Sequence, residues 1–340
     1  MNKTIRNCII VCAAVASAVS CATKETAEAN AGNKLYFDAW LGVHYPQARK
    51  VADSFGVYYL PENEAAGTGA AVTDSCYAII NYTSRTLEGI ISETTSETMA
   101  KQIGSFTEGN YYGPVVRIIY PGQLNMGLLQ SVVGMKVGAK RTAIIPTWLM
   151  NAKIYKDEKS YLGESSGVES AIYDIEIADV TTDIIDYQVQ NIQKFSDRYL
   201  GGIDSTSEGF WYKTLKESSD TASLPNDTSV YVNYIGRLLD GSVFDTNIED
   251  TAKVYHIYSS SGSYSPVKVT LGEEASDVTM GDSASDVVDG FGLTVKQMHA
   301  YEKGVGVFIS TLGYDSSGSG SKIPGYAPLI FEIELVDEPE

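Results

Sequence analysis

The amino-acid sequence predicts an α+β protein in which one antiparallel β unit occurs twice. Three observations lead to this prediction: a motif order that recurs with nearly constant spacing, an alternating strand at the end of each copy, and helical sequence before each copy. A length of 340 residues accommodates two domains of about 150 residues. Tyrosine, with 23 residues, favours β structure because its ring suits a half-buried pleated surface.

The repeat is recognised by its aromatic and glycine positions. Gly56 and Tyr82 are 26 residues apart in the first copy, and Gly209 and Tyr234 are 25 residues apart in the second. In both copies the tyrosine stands 7 residues before a hairpin glycine. Because the two spacings agree so closely, the copies are interpreted as two units of one fold.

Each element of the unit has its own signal. Alternation of apolar and polar residues predicts a half-buried terminal strand at residues 171–177 and again at residues 329–335. Asp240-Gly241 lies between apolar runs and predicts a hairpin, because glycine accepts positive φ. Apolar residues spaced by four and then three from Phe291 predict a short helix over one face of the sheet.

Helical sequence precedes each unit. Before the second unit a helix is predicted over residues 181–200, with an apolar side formed by Ile185, Val189, Ile192 and Tyr199. Its earlier counterpart lies in residues 35–55 and is interrupted by Pro46. The Ser/Gly/Asp-rich stretches 259–265 and 281–286 are interpreted as exposed loops, with passive insertion favoured over a binding role.

The N-terminal residues resemble a bacterial lipoprotein signal. Lys3 and Arg6 precede a 13-residue apolar run, which is too short for a bilayer that needs about 20 residues. The run ends in Ala18-Val19-Ser20-Cys21, which resembles the lipobox at which cleavage follows acylation of the cysteine thiol. We therefore expect a protein of the bacterial cell envelope, anchored to the bilayer through acylated Cys21 on its periplasmic or cell-surface face. An ordinary secretory signal with an incidental cysteine is the alternative.

Charge and cysteine content argue against several functions. A formal net charge of −18 repels phosphate backbones, so nucleic-acid binding is not expected. After cleavage before Cys21, Cys76 is the remaining thiol, which leaves neither an intramolecular disulfide nor a cysteine-based zinc site. Cys76 is predicted to be a buried strand residue. No metal or cofactor is expected, because no triad or metal-ligand spacing is formed by His44, His256 and His299, the last of which is expected on the surface.

Residues 227–337 resemble FKBP-type peptidyl-prolyl cis-trans isomerases along their whole length. The resemblance is carried, in order, by Val232-Asn233-Tyr234-Ile235-Gly236, Asp240-Gly241-Ser242-Val243-Phe244-Asp245, Val287-Val288-Asp289-Gly290-Phe291, Leu312-Gly313-Tyr314, Lys322-Ile323-Pro324 and Ala327-Pro328-Leu329-Ile330-Phe331-Glu332-Ile333-Glu334-Leu335. It implies that both copies are FKBP-like domains, each a twisted antiparallel sheet wrapped around a short helix. The organisation then comprises a signal peptide (1–20), a tether (21–33), a degenerate FKBP-like domain with an N-terminal helical segment (34–180), a helical linker (181–222) and an FKBP-type isomerase domain (223–340).

The resemblance also implies an aromatic pocket that holds a substrate proline. Its catalytic residues would be Tyr234, Phe244, Asp245, Phe291, Tyr314 and Phe331. Its substrate-binding residues would be Val287, Val288, Ile323 and Val267. In this scheme Phe291 forms the floor, Tyr314 offers its hydroxyl to a substrate carbonyl, and Ile323 adds apolar wall and a backbone N–H.

The implied function is isomerisation of X-Pro bonds in exported proteins. Rotation about the amide disrupts its resonance and leaves it less dipolar, so an apolar pocket favours the twisted state without a nucleophile, metal or proton transfer. Proline-containing polypeptides and macrolides are the expected ligands. The alternative is a non-catalytic lipoprotein that retains the FKBP fold to bind peptides or partners.

The first copy departs from the family at its pocket positions. Ser92-Glu93 stands at the Phe-Asp position, Leu128 at the floor and Asn151 at the position of Tyr314. A structural or partner-binding role is therefore favoured for this copy. The second copy departs mainly between Asp245 and Gly290, where 45 residues make the connection longer than in compact members.

Overall fold

A computed structural model of the chain describes residues 29–50, 55–151, 153, 155, 157–163, 168–207, 209–220 and 222–339. The signal peptide predicted over residues 1–20 and the acylated Cys21 lie outside the described residues. Within the described ranges, no helix has the length and apolar character needed to cross a membrane.

The first unit is built on an antiparallel sheet of seven strands. In chain order they are β1 (Arg49–Lys50), β2 (Tyr58–Tyr59), β3 (Cys76–Thr86), β4 (Ile91–Thr94), β5 (Val115–Ile119), β6 (Lys140–Ile145) and β7 (Ala171–Thr181). Their spatial order is β1-β2-β6-β7-β3-β4, and β5 also pairs with β3. Cys76 is buried at the start of β3, as predicted.

The second unit is built on an antiparallel sheet of nine strands. They are β8 (Ser205–Ser207), β9 (Phe210–Lys216), β10 (Ser229–Leu238), β11 (Val243–Thr246), β12 (Val267–Thr270), β13 (Thr279–Met280), β14 (Ser285–Asp286), β15 (Lys303–Phe308) and β16 (Leu329–Val336). Their spatial order is β14-β13-β12-β10-β16-β15-β9-β8, and β11 also pairs with β10.

Seven α-helices accompany the two sheets in the described part of the chain. They are α1 (Ala31–His44), α2 (Glu97–Gln102), α3 (Met126–Val132), α4 (Glu158–Leu162), α5 (Ile184–Phe195), α6 (Glu249–Val254) and α7 (Asp289–Lys296). A π-helical turn, Ser196–Leu200, continues α5. The short helix predicted after Phe291 is confirmed as α7, which lies on one face of the second sheet.

The two sheets share one topology, which confirms the predicted duplication. Strands β2, β6, β7 and β3 of the first unit are neighbours in the same order as β9, β15, β16 and β10 of the second. The register also agrees: Tyr58 lies opposite Ile144, and its counterpart Trp211 lies opposite Val307. The fold is therefore α+β, with two units of the same topology. The predicted hairpin at Asp240-Gly241 is present, and Gly241 has a φ of 92°.

Three predictions made for the segments outside the sheets are wrong. Residues 181–222 are not a wholly helical linker, because Phe210–Lys216 forms strand β9, whose aromatic residues pair with β15. The tether does not extend to residue 33, because the Asn30 side chain and N–H bond to the carbonyls of Tyr161 and Leu162 and α1 begins at Ala31. The helix predicted over residues 35–55 ends at His44, before the proline.

The buried side of α5 is also shifted from the prediction. Ile184, Gln188 and Ile192 are buried, whereas Tyr199 is exposed. The π-helical turn adds a residue to the last turn, so the side chains after Phe195 are rotated and Leu200 becomes the buried one.

Candidate functional site

Helix α7 reaches the concave face of the second sheet because small residues stand at the points of contact. A side chain at Gly306 of β15 would overlap the Thr294 hydroxyl of α7. A side chain at Gly290 of α7 would likewise overlap the ring of Phe308. These close approaches bring Phe291, which is only 1% exposed, against the strands that carry the other aromatic residues.

A cavity of about 490 Å³ opens between α7, strand β10 and the turn after β15. Seven residues predicted from the sequence line it together: Tyr234, Asp245, Val287, Val288, Phe291, Tyr314 and Phe331. They come from five separate stretches of the chain, and the fold brings them around one open space. Their catalytic roles remain predictions.

The floor of the cavity consists of aromatic rings that meet edge to face. The Phe291 ring is 6.0 Å from the Tyr234 ring and 5.2 Å from the Phe331 ring, with interplanar angles of 88° in both pairs. Such T-shaped pairs are favourable because the positive edge of one ring meets the negative face of another. The rings therefore hold one another in place at the floor of the cavity.

Two phenol groups stand at the rim of the cavity, and the Asp245 carboxylate bonds to one of them. Tyr234 donates its hydroxyl to the Asp245 carboxylate at 2.8 Å. Burial, followed by the negative charge of Asp245, raises the pKa of Tyr234, and the same two causes raise the pKa of Tyr314. Both phenols are therefore neutral donors at physiological pH. Tyr314 is 37% exposed, and among the described residues its hydroxyl has no hydrogen-bond partner.

Comparison with known proteins relates the part of the chain that forms this cavity to one protein family. The sequence model for FKBP-type peptidyl-prolyl cis-trans isomerase matches residues 221–336. Those residues are therefore similar to an FKBP-type domain, and they are called the FKBP-type domain below. The match covers about a third of the chain and includes every residue that lines the cavity.

Three relatives illustrate the similarity. A probable FKBP-type peptidyl-prolyl cis-trans isomerase FkpA of Neisseria meningitidis is 29% identical over 135 residues, which are 40% of this chain and 40% of that protein. An FKBP-type 22 kDa peptidyl-prolyl cis-trans isomerase of Escherichia coli is 26% identical over 136 residues, 40% of this chain and 53% of that protein. FK506-binding protein 1A of Aspergillus fumigatus is 29% identical over 125 residues, 36% of this chain and 90% of that protein. The matched part of the chain spans about half or less of the two bacterial relatives.

Three predicted site residues of the FKBP-type domain, Phe244, Val267 and Ile323, are not among the residues that line the cavity. The Phe244 ring is buried and meets the Phe331 ring edge-on at 5.6 Å, so it supports the cavity wall. Val267 is half-buried on β12, opposite Val232. Ile323 is buried, and its backbone N–H donates to the Ser319 carbonyl at 3.2 Å. This N–H is bonded within the tight turn from 319 to 323, and its role toward a substrate stays a prediction.

Six further residues line the cavity and were not predicted: Met280, Asp286, Asp289, Thr311, Leu312 and Gly313. Most of them adjoin predicted residues in the sequence, which is a signal that could have included them. Met280 gave no such signal, because it belongs to the insertion. There β13 and β14 extend the sheet beside β12, so the exposed stretch 281–286 ends in a strand and contributes Asp286 to the cavity lining.

The corresponding region of the first unit contains a charged side chain. Arg117 of β5 donates to the Tyr82 hydroxyl at 3.0 Å, and its guanidinium lies 5.5 Å from that ring. Register places Arg117 opposite Ala78, where the second unit has Val269 opposite Val230. A proline ring beside Tyr82 would have to desolvate this guanidinium, which is costly. The arrangement is consistent with the structural or partner-binding role predicted for the first unit, which stays a prediction.

Proposed function

We propose that the FKBP-type domain catalyses cis-trans isomerisation of X-Pro bonds. The observation that carries the proposal is the convergence of an apolar aromatic floor and an unpaired Tyr314 hydroxyl on one open cavity. The barrier to rotation of the amide is about 18–20 kcal/mol, and it falls when the twisted conformer is favoured over the planar one. Binding that is stronger for the twisted conformer therefore accelerates the rotation.

The geometry suggests a role for each group. The proline ring would lie against Phe291 and Phe331, whose rings offer no polar group to stabilise the dipole of a planar amide. The Tyr314 phenol would donate to the carbonyl of the bound peptide, since it is neutral and partly exposed. Asp245 would hold Tyr234 in place through the 2.8 Å hydrogen bond, which keeps the wall of the cavity fixed.

The catalytic proposal is tested with variants of the full chain in a proline-isomerisation assay on a short peptide. Tyr314→Phe should lower kcat/KM about tenfold, since one hydrogen bond of about 1.4 kcal/mol is lost in the transition state. Phe291→Ala should lower it further because the floor is removed. Tyr301→Phe is the matched control, because Tyr301 is an exposed phenol of the second unit that does not line the cavity. Equal activity of Tyr314→Phe, Phe291→Ala and the control, all folded by circular dichroism, would defeat the proposal.

A second candidate, peptide binding without catalysis, is favoured by one specific observation. The first unit retains the fold but places Arg117 beside Tyr82, so this chain already contains an FKBP-like unit with an altered pocket. Under this candidate, proline peptides or a macrolide would bind the second unit and change its tyrosine and tryptophan fluorescence. The isomerisation rate would not exceed background.

We propose further that the clients are exported proteins and that the chain is anchored in the cell envelope. The support is the N-terminal sequence, with its short apolar run ending at Cys21. Cys21→Ala should move the protein from the membrane to the soluble fraction, whereas Cys12→Ala, in the same segment, should leave it on the membrane. Membrane retention of Cys21→Ala would refute the anchor.

A further inference from the structure

The loop that follows Tyr314 has a strained backbone, so we expect it to depend on contacts with the rest of the molecule. This tip loop, residues 315–327, contains a serine and glycine run from residue 316 to 321, most of which is exposed. Four of its residues have a left-handed backbone, and two of these, Asp315 and Tyr326, are not glycine. Such conformations are strained for L residues and persist where surrounding structure holds them.

The tip loop is mechanically connected to the cavity. The Tyr314 carbonyl accepts a hydrogen bond from the Gly318 N–H at 3.1 Å, and Tyr326 N–H donates to the Asp315 carbonyl at 2.7 Å. Ser319 and Ile323 form a two-residue bridge that closes the turn. A displacement of the loop would therefore displace the Tyr314 phenol at the cavity rim.

The first unit holds the tip loop at two separate points. Near the apex, the Tyr111 N–H donates to the Ser321 carbonyl at 2.8 Å, and the Ser321 hydroxyl donates to the Asn110 side-chain oxygen at 2.7 Å. At the base, the ring of Tyr326 meets the ring of Tyr77 from β3 at 5.6 Å and 77°. The strained Tyr326 is thus covered by an aromatic residue of the other unit.

The contacting segment of the first unit is rigid in its own right. This docking loop, residues 106–112, is closed by Phe106 and Tyr112, whose rings stack at 5.4 Å, and the Tyr112 hydroxyl accepts from the Thr107 N–H at 3.0 Å. A side chain at Gly109 would lie 2.9 Å from Ile257 of the second unit. Because the docking loop is already ordered, little conformational entropy is lost when it holds the tip loop.

We propose that the first unit is a positioning element for the isomerase site, acting in cis through Tyr77, Asn110 and Tyr111. These residues hold the tip loop in the conformation that presents the Tyr314 hydroxyl to the bound peptide. The proposal rests on the proposed isomerase function of the second unit. It assigns the degenerate copy a role that needs no pocket of its own.

The test uses two glycines of the first unit that have the same backbone strain. Gly109 and Gly104 have φ values of 79° and 73°, but a side chain at Gly104 would meet nothing within 4 Å. In the full chain, Gly109→Val should push the docking loop off the second unit, whereas Gly104→Val carries the same conformational penalty without that effect. We expect Gly109→Val to lower kcat about fivefold with KM little changed, and Gly104→Val to match wild type.

A second pair of variants keeps the proposal testable if the Gly109→Val chain does not fold. Asn110→Leu removes the oxygen that accepts from Ser321, and Asn110→Asp retains it. We expect the leucine variant to lose activity about threefold and the aspartate variant to retain it. Failure of aspartate to restore the activity that leucine loses would overturn the role of this hydrogen bond.

Amide hydrogen exchange of residues 315–327 gives a readout that does not depend on turnover. Exchange in this segment should be faster in Gly109→Val than in Gly104→Val. If Phe291→Ala abolishes activity but Gly109→Val equals Gly104→Val in both kcat and exchange, the positioning role is wrong and the isomerase proposal stands. If the wild-type chain does not accelerate isomerisation, the isomerase proposal fails, and positioning for catalysis fails with it. The exchange data then show separately whether the docking loop contacts the tip loop.

Discussion

Glu302 is a buried carboxylate whose replacement should destabilise the second unit in a pH-dependent way. It is 2% exposed and accepts hydrogen bonds on both oxygens. Tyr212 and Thr214 donate to Oε1 at 2.5 and 2.7 Å. The backbone N–H of His299 and its Nδ1 lie 2.8 Å from Oε2. His299, which was expected at the surface, has a partly exposed side chain whose Nδ1 is bonded to Glu302.

The expected loss of unfolding free energy follows from the polar groups that each variant leaves without a hydrogen-bond partner. In Glu302→Leu, the Tyr212 and Thr214 hydroxyls and the His299 N–H lose their acceptor, and each buried group costs about 1–3 kcal/mol. We expect a loss of about 3–6 kcal/mol. In Glu302→Gln the hydroxyls rotate to accept from the amide, so only the benefit of the charge is lost, about 1–2 kcal/mol.

The sign of the pH dependence follows from the lowered pKa of Glu302. Burial raises its pKa, but the hydrogen bonds from Tyr212, Thr214 and His299 outweigh burial, so the folded-state pKa lies below the ordinary value of 4.5. The stabilisation is therefore complete above the unfolded-state pKa and is lost as the pH falls through the folded-state pKa. The glutamine variant lacks this contribution. The difference in unfolding free energy between this variant and wild type should therefore shrink below about pH 4.5.

The assay is denaturant unfolding at pH 7 and at pH 3.5, followed by the fluorescence of buried Trp211 with Trp40 and Trp148 replaced by Phe. Glu334→Gln is the control, because Glu334 makes only a solvent-accessible ion pair with Lys216 at 3.6 Å and should change stability by less than about 0.5 kcal/mol. A Glu302→Leu chain as stable as the control at pH 7, or a glutamine deficit that grows in acid, would refute the reasoning.

Two further predictions concern the residues that seat the elements around the cavity. Gln188→Leu should cost about 2 kcal/mol, because the buried amide accepts from the Ser310 N–H at 2.7 Å and donates to its hydroxyl at 3.0 Å. Gln190→Leu, on the exposed side of α5, should leave the denaturation midpoint unchanged, and equal midpoints for the two variants would contradict this. Gly306→Ala should cost about 1–3 kcal/mol by forcing α7 from the sheet. Adding Thr294→Ala should recover part of that loss in thermal unfolding, since the new methyl group meets its hydroxyl; no recovery would place the strain elsewhere.

The predictable part of the fold had signals that are local in the sequence. Alternation located β16, Asp240-Gly241 located a hairpin, and the spacing of apolar residues after Phe291 located α7. The cavity followed from motif order, because residues at fixed places in a known fold are brought together by that fold. These inferences depend on pattern and do not require knowledge of distant contacts.

The parts that could not be predicted depend on tertiary contacts. Strand β9 was assigned to a helical linker because its three consecutive aromatic residues have no alternation, and only pairing with β15 makes them a strand. The use of the Ile323 N–H within the tip loop depends on the tight turn that begins at Ser319. The contact of Tyr111 with Ser321 links residues 210 positions apart, and no local pattern specifies it.

The docking loop has a counterpart in the second unit. The two loops are used differently, so the arrangement of the two units is directional. Residues 258–264 repeat its construction, with Tyr258 and Tyr264 stacked at 5.1 Å and the Tyr264 hydroxyl accepting from the Ser259 N–H at 2.7 Å. The first loop is seated on the following unit, while residues 259–262 of the second are exposed. The contact is therefore heterologous, because two different surfaces meet: the docking loop of the first unit and the tip loop of the second. Further copies joined by the same rule would extend the array in one direction, as a polar stack without a two-fold axis.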